Sequence, residues 1–118
     1  MTNQEIANRL IELCRAGDYA TCYKELYAPN AVSIEPKGKA LVEIATGMEE
    51  FAAKGKKWNE SIEHFYGSTI SEPVVGDDYF SLAMSVDLKM KGMERSNDTE
   101  ICVYKVENGK IVSEQFFY

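Results

Sequence analysis

The chain has 118 residues, of which 45% are hydrophobic and 27% charged, and its formal net charge is −6. This length supports one compact domain, and the composition is that of a globular rather than a disordered protein. The negative charge argues against binding to a phosphate backbone, and no apolar run reaches the roughly 18 residues of a membrane-spanning helix. We predict a single domain over residues 1–118, with neither nucleic acid nor a membrane as a partner.

The cysteines and the N-terminus bear on location and cofactors. Cys14, Cys22 and Cys102 form no CxxC motif, and the opening residues MTNQEIANRL lack the basic start and apolar core of a signal peptide. Both features predict reduced thiols in a cytoplasmic protein. One histidine with scattered acids has no zinc-ligand spacing, and no glycine-rich phosphate loop is present. We therefore expect no metal and no cofactor.

The first part of the chain has helical patterns. Thr2 and Glu5 have the spacing of a capping box, and the helix that they open should end at Gly17, a typical residue after a helix C-terminus. Asp18 can cap a second helix, which Pro29-Asn30 should end. Two helices in succession are predicted.

A third helix follows a short strand. The strand is predicted around Val32 to Glu35, and the next stretch, Lys39 to Ala45, fits either a loop or a short edge strand. Thr46 and Glu49 then have the spacing of a second capping box, which opens a helix towards Trp58. The basic segment AAKGKKW within it is interpreted as a solvated helix end.

From Ser61 onward the apolar pattern changes from a period of 3.6 to a period of 2, which is typical of strands. The segment ENGK contains an Asn-Gly pair and predicts a tight hairpin. Helices followed by an antiparallel meander indicate an α+β fold with the helices on one face of the sheet. The predicted strands are Ser61–Ser71, Tyr79–Lys91, Ser96–Val106 and Lys110–Tyr118.

Three segments, RAGDYATCYKELYAPNAVSIEP, ISEPVVGDDYFSL and ENGKIVSEQFFY, resemble the SnoaL-like branch of the nuclear-transport-factor-two-like superfamily. This superfamily includes ketosteroid isomerase, limonene epoxide hydrolase, scytalone dehydratase and polyketide cyclases. The resemblance implies three N-terminal helices packed in the concave face of a strongly curved, mostly antiparallel sheet. It also implies a deep apolar pocket in this cone and a homodimer through the outer sheet face. The fold alone implies no particular activity.

Glu35 is the first candidate for proton chemistry. The segment AVSIEP aligns its Glu35-Pro36 pair with the acid-proline pair of ketosteroid isomerase, in which the acid is the proton-shuttling base. However, Leu10 falls where that enzyme has a hydrogen-bonding tyrosine, which argues against steroid isomerisation by the same mechanism. The alternative is that Glu35 is a strand-end acid near solvent.

His64 is the only histidine. Strict alternation places it on one strand face with Ile62, Tyr66 and Ile70. This pattern predicts a position among apolar side chains, where His64 could be an acid, a base or a ligand anchor. The alternative is a core histidine with no functional role.

The last strand contains a second candidate acid. Alignment on GKIV implies that Glu114, Phe116 and Tyr118 line the pocket, and the alternative is that Gln115 and Phe117 face inward. An interior acid needs a hydrogen-bond donor, and Tyr118, Tyr104 and His64 are the available candidates. If Glu114 converged with Glu35, the two carboxyls would acquire separate pKa values and separate roles.

Asp87 has the opposite parity to its apolar neighbours Leu82, Met84 and Val86, and is expected to point away from the apolar face, unless a bulge reverses it.

The sequence thus indicates a protein that binds a small apolar molecule, with catalysis undecided. As an enzyme it would perform cofactor-free acid/base chemistry of the isomerase, cyclase, dehydratase or hydrolase type. The alternatives are a non-catalytic binding module and a dimeric accessory protein. The predicted catalytic residues are Glu35, His64 and Glu114, and the predicted ligand-binding residues are Trp58, Tyr66, Tyr104, Phe116 and Tyr118.

Overall fold

The computed structural model describes residues 1–118 and contains three helices and seven strands. The helices are α1 (Asn3–Arg15), α2 (Tyr19–Leu26) and α3 (Gly47–Ser61). The strands are β1 (Tyr27–Ile34), β2 (Ile44–Thr46), β3 (Ile62–Ile70), β4 (Val74–Val75), β5 (Tyr79–Met90), β6 (Arg95–Glu107) and β7 (Lys110–Phe117).

The first helix begins and ends where the sequence predicts. The Thr2 hydroxyl accepts from the Glu5 amide at 3.1 Å, and the Glu5 carboxylate accepts from the Thr2 amide at 2.9 Å. This is the predicted capping box, which satisfies two backbone donors that have no partner within the helix. Beyond the helix, Gly17 has a φ of +70°, a conformation that glycine adopts without steric cost.

The boundary after α2 differs from the prediction. Asp18 caps the helix by accepting from the Thr21 amide at 3.2 Å, but α2 ends at Leu26 and Pro29 lies inside β1. The pairing of β1 with β7 shifts register between Tyr27 and Val32. A proline is tolerated there because an irregular segment does not require its missing N–H.

The third helix has a different cap from the predicted one. Thr46 is the N-cap residue but its side chain makes no capping hydrogen bond. Instead, the Glu50 carboxylate accepts from the Thr46 amide at 2.9 Å, so the predicted Thr46–Glu49 capping box is wrong. The stretch from Lys39 to Ala45, which the sequence left open, is a loop that leads into the edge strand β2.

The curved, open sheet has the order β2-β1-β7-β6-β5-β3. The two-residue strand β4 pairs with the beginning of β5, on the side where β3 pairs with the rest of β5. Only β1 and β7 run parallel, while every other pair is antiparallel. The four long predicted strands are confirmed to within one residue at each end. The Asn-Gly hairpin is confirmed too, since Asn108 and Gly109 have φ values of 52° and 75°.

The core lies between the helices and the inner face of the sheet. Alternate residues of β5 and β6, among them Phe80, Leu82 and Cys102, are buried in one cluster with Ile6 and Leu10 of α1. These observations confirm the α+β class, with helices on one sheet face. None of the three helices is long and apolar enough to cross a membrane.

Candidate functional site

A polar cluster interrupts the apolar inner face where β1 and β7 run side by side. Ser33 and Glu114 pair across these strands and are the two buried polar residues of the chain, with exposed fractions of 0% and 6%. Three further charged side chains lie next to this pair. We define the interior cluster as Ser33, Glu35, Lys54, Glu100 and Glu114.

Glu114 faces inward, as the alignment of the last strand implies, and Gln115 is exposed. One Glu114 carboxylate oxygen accepts from the Tyr27 hydroxyl and the other from the Ser33 hydroxyl, the latter at 2.7 Å. These donors are not the three predicted ones. Burial raises the pKa of Glu114, and the bonds from Tyr27 and Ser33 offset part of that rise.

Glu35 lies just beyond β1, and its side chain is 12% exposed. Its Oε1 is 2.9 Å from Lys54 Nζ, and its Oε2 accepts from the Tyr118 hydroxyl at 3.0 Å. Lys54 also donates to Ser33 Oγ at 2.8 Å. Glu35 and Glu114 therefore converge, joined through Lys54 and Ser33, and Glu35 is not simply a solvated strand-end acid.

Glu100 is the third carboxyl of the interior cluster. It lies on β6, half-buried, and its nearest hydrogen-bond partner is the weak donor Cys102 Sγ at 3.7 Å. Burial, with a further contribution from the negative charge of Glu35, raises the pKa of Glu100 to about 7. Glu100 is thus suited to hold a proton near neutrality, beside a carboxylate that has two strong donors.

His64 and Tyr66 lie on the outer face of the sheet, in contrast to the prediction from alternation. The pairing of β3 with β5 shifts register between Ile62 and His64 and again between Phe65 and Gly67. Each shift reverses the face to which the following side chains point. The His64 and Tyr66 rings contact each other, with centroids 4.3 Å apart, and both residues are exposed.

Asp87 also lies on the outer face, as predicted. Its carboxylate accepts from Arg95 Nε at 3.0 Å and from Arg95 Nη2 at 2.9 Å. The Arg95 guanidinium in turn lies 3.7 Å from the centre of the Tyr66 ring. This arrangement places the only histidine in a surface group that has no contact with the interior cluster.

The predicted ligand-binding aromatics are in different environments. Tyr104 is buried and stacks on Phe80 with centroids 4.7 Å apart, so it belongs to the core. Phe116 is half-buried, with its ring centre 5.0 Å from Lys54 Nζ. Trp58, at the end of α3, and Tyr118 are each 45% exposed. Phe116 and Tyr118 are thus adjacent to the interior cluster.

Sequence reasoning missed Lys54, because the AAKGKKW segment was interpreted as a solvated helix end. The spacing of Phe51, Lys54 and Trp58 at i, i+3 and i+7 was the available signal, since such residues share one helix face. Ser33 was also missed, although it alternates with Glu35 on the same strand face. Lys54 is the cation of this cluster: it pairs directly with Glu35 and is linked to Glu114 through Ser33.

Two surface depressions lie away from this region. One follows the outside of β1 and β7 near Val32 and Val112, and the other lies at the start of α3 near Gly47 and Glu50. Neither includes a residue of the interior cluster. No group of three or more histidine, cysteine, aspartate or glutamate side chains is arranged to hold a metal ion.

The family model for a SnoaL-like domain matches residues 1–118. A Mesorhizobium loti protein, described as a candidate SnoaL-like polyketide cyclase, is 33% identical over 100% of both chains, with a TM-score of 0.91. A Xanthomonas campestris protein of unknown function with a cystatin-like fold is 20% identical over 99% of this chain and 90% of its own (TM-score 0.84). A Catenulispora acidiphila protein with a ketosteroid isomerase-like fold, in complex with trimethylamine, is 17% identical over 100% and 87% (TM-score 0.75). No curated protein is a significant match. The chain belongs to the SnoaL-like domain family.

Proposed function

We propose that this protein binds a small, largely apolar molecule on the inner face of the sheet and exchanges a proton with it through Glu35. The observation that carries this proposal is the pairing of two unlike carboxyls. Glu35 has a strong donor on each carboxyl oxygen, Lys54 on one and Tyr118 on the other. Glu100 has only a thiol as a donor, and burial raises its pKa to about 7. A base and an acid on one surface permit proton abstraction and return without a cofactor.

The surroundings support a mainly apolar ligand. Met84 pairs with Glu100 and Phe116 with Cys102, so apolar side chains flank the acid on both neighbouring strands. Both Met84 and Phe116 are only partly buried and pack against the core. Among the structural neighbours, the trimethylamine complex is a precedent for a small organic molecule bound to a protein of similar fold. The proposed reaction class is isomerisation, cyclisation, dehydration or hydrolysis.

The test is hydrogen exchange between a bound ligand and the solvent. Ketones, lactones and epoxides are first screened for binding by native mass spectrometry, and each retained compound is then incubated with the protein in D₂O. We expect deuterium to enter a carbon-bound position with the wild type. Glu35→Gln should reduce this exchange at least about 100-fold, the scale of a lost general base, while binding is retained.

Glu49→Gln is the matched control, because Glu49 is an exposed glutamate in the first turn of α3, and it should exchange deuterium as the wild type does. If compounds bind but none gains carbon-bound deuterium or is converted to a product with the wild type, the acid/base proposal fails. The non-catalytic binding module then becomes the better description. If no compound binds, the ligand-binding proposal fails as well.

We also propose that two copies associate through the outer face of the sheet. Ile101 and Phe117 pair directly across β6 and β7, and they are 47% and 48% exposed. The partly buried Val103 lies on the same face two residues from Ile101. Apolar side chains grouped on an open sheet face mark association surfaces in globular proteins.

The three cysteines are free and buried, which supports the further proposal of a cytoplasmic location.

Introducing a charge on this face should separate the two copies. Ile101→Lys is expected to convert a dimer of the wild type into a monomer in light scattering after gel filtration, because it places a desolvated charge at the interface. Leu41→Lys is the control, since Leu41 is 74% exposed in a loop outside the sheet. A monomeric wild type, or a dimeric Ile101→Lys variant, would contradict the proposed interface.

A further inference from the structure

Lys54 lies at the centre of the interior cluster and is linked to two of its carboxyls, to one directly and to the other through a serine. Its ammonium bonds directly to Glu35 Oε1 at 2.9 Å and reaches Glu114 through Ser33 Oγ at 2.8 Å. Ser33 has one hydroxyl proton, which it donates to Glu114 Oε2 at 2.7 Å. The bonds therefore all run in one direction, from Lys54 to Ser33 and on to Glu114.

The donors are divided unequally among the three carboxyls. Each oxygen of Glu35 has its own donor, Lys54 or Tyr118. Each oxygen of Glu114 also has a donor, Tyr27 or Ser33, and both bonds stabilise the charged form of this carboxyl. Glu100 has one weak thiol donor at 3.7 Å and no ion pair. Because charge without donors is costly in a buried position, the carboxyl that takes a proton is Glu100.

We infer that Lys54 is a positioning residue that decides which interior carboxyl carries the proton, keeping Glu35 and Glu114 as carboxylates and leaving Glu100 as the acid. This assignment deepens the proposed function and rests on it for its catalytic meaning. Lys54 acts against the rise in pKa at both Glu100 and Glu114, while the charge of Glu35 adds to it at both, so loss of this cation favours the binding of a further proton. Titratable groups from several elements face Glu100: Tyr19 of α2, Glu35 after β1, Lys54 of α3, Cys102 of β6, Glu114 of β7 and Tyr118 after β7.

The experiment counts protonated glutamates directly and needs no ligand. The protein is labelled with glutamate carrying ¹³C at the carboxyl carbon, whose NMR shift reports protonation, and spectra are recorded near pH 6. We expect one protonated interior carboxyl in the wild type, assigned to Glu100 by its loss in Glu100→Gln. Lys54→Met should show two, because the site then has three carboxyls and no cation to hold the second charge.

Two further variants separate this role from a structural one. Lys54→Arg keeps the cation and should restore the count to one, and Lys57→Met, an exposed lysine on the same helix, should leave it at one. If Lys54→Met does not fold, Lys54→Gln retains a donor towards Ser33 without the charge and should also show two. A count of one in the folded Lys54→Met or Lys54→Gln variant overturns the inference.

The outcomes also separate the inference from the proposed function. If the number of protonated interior carboxyls rises from one in the wild type to two in Lys54→Met, but no bound ligand exchanges deuterium, the result supports the role of Lys54 and refutes catalysis. If the wild type exchanges deuterium into a ligand but Lys54→Met still has one protonated interior carboxyl, the result supports catalysis and refutes the role of Lys54.

Discussion

The free energy of unfolding of the Glu100→Gln variant is expected to change little between about pH 5 and pH 8, whereas that of the wild type should fall over this range. The pKa of Glu100 is about 7 in the folded protein and 4.5 in its reference state. The folded state thus binds the Glu100 proton more tightly than the unfolded state does. The stabilisation that this proton provides is complete below the unfolded-state pKa of 4.5, and it is lost as the pH rises through the folded-state pKa of about 7. Since one pKa unit corresponds to about 1.4 kcal/mol, we expect a loss of about 2–3 kcal/mol.

Urea unfolding at about pH 5 and pH 8 measures this difference in the free energy of unfolding for each protein. The Glu100→Gln variant should be more stable than the wild type at the higher pH, because a neutral amide carries no charge to bury. Glu94→Gln, on an exposed glutamate before β6, is the control and should follow the wild type at both pH values. Equal pH dependence in Glu100→Gln and the wild type would show that Glu100 is not the group that holds the proton.

The second large effect concerns Glu114. Glu114→Ala is expected to lower the free energy of unfolding by about 3–4 kcal/mol, since it leaves the buried Tyr27 and Ser33 hydroxyls without their acceptor and opens a cavity. Loss of Glu114 also leaves Lys54 beside a single carboxylate. The measurement is urea unfolding near neutral pH, with near-ultraviolet circular dichroism as a check on native packing.

Gln115→Ala provides a matched control on the same strand. Gln115 is adjacent to Glu114 but points to the outer face and is exposed, so its truncation should change stability by no more than about 0.5 kcal/mol. Tyr27→Phe removes one of the two donors and should cost about 1–2 kcal/mol. A loss below about 1 kcal/mol in Glu114→Ala would mean that the buried network contributes little to the fold.

These two acids have distinct parts in the same network. Glu114 is enclosed and bonded on both oxygens, which makes it a structural anchor for the parallel pair β1 and β7. Glu100 and Glu35 are only partly buried and differ in their donors. The chemistry proposed for the site depends on this difference, because the unequal donors leave the proton on Glu100 and the role of the base to Glu35.

The local features of the chain were predictable from the sequence. The first capping box, the Asn-Gly hairpin and the four long strands depend on residues close together in the chain, and all are confirmed. The inward orientation of Glu114 followed from the family alignment of the last strand. Alternation alone would not have given it, because a register shift places Ile111 and Glu114, three residues apart, on the same face. Membership of the SnoaL-like family was recognisable because three segments with family-like patterns are distributed between residues 15 and 118.

The tertiary structure alone decided the composition of the site. His64 and Tyr66 lie on the outer face because register shifts in β3 interrupt the alternation. Gly67 marks the second shift in the sequence, but no residue marks the first one, which precedes His64. Lys54 joins Glu35 and Ser33 because the packing of α3 on β1 brings together residues about 20 positions apart. Glu114 reaches Ser33 across 81 positions. Periodicity reports which face a residue occupies, but the partner across the core depends on how the helices pack, and this packing leaves no local pattern in the sequence.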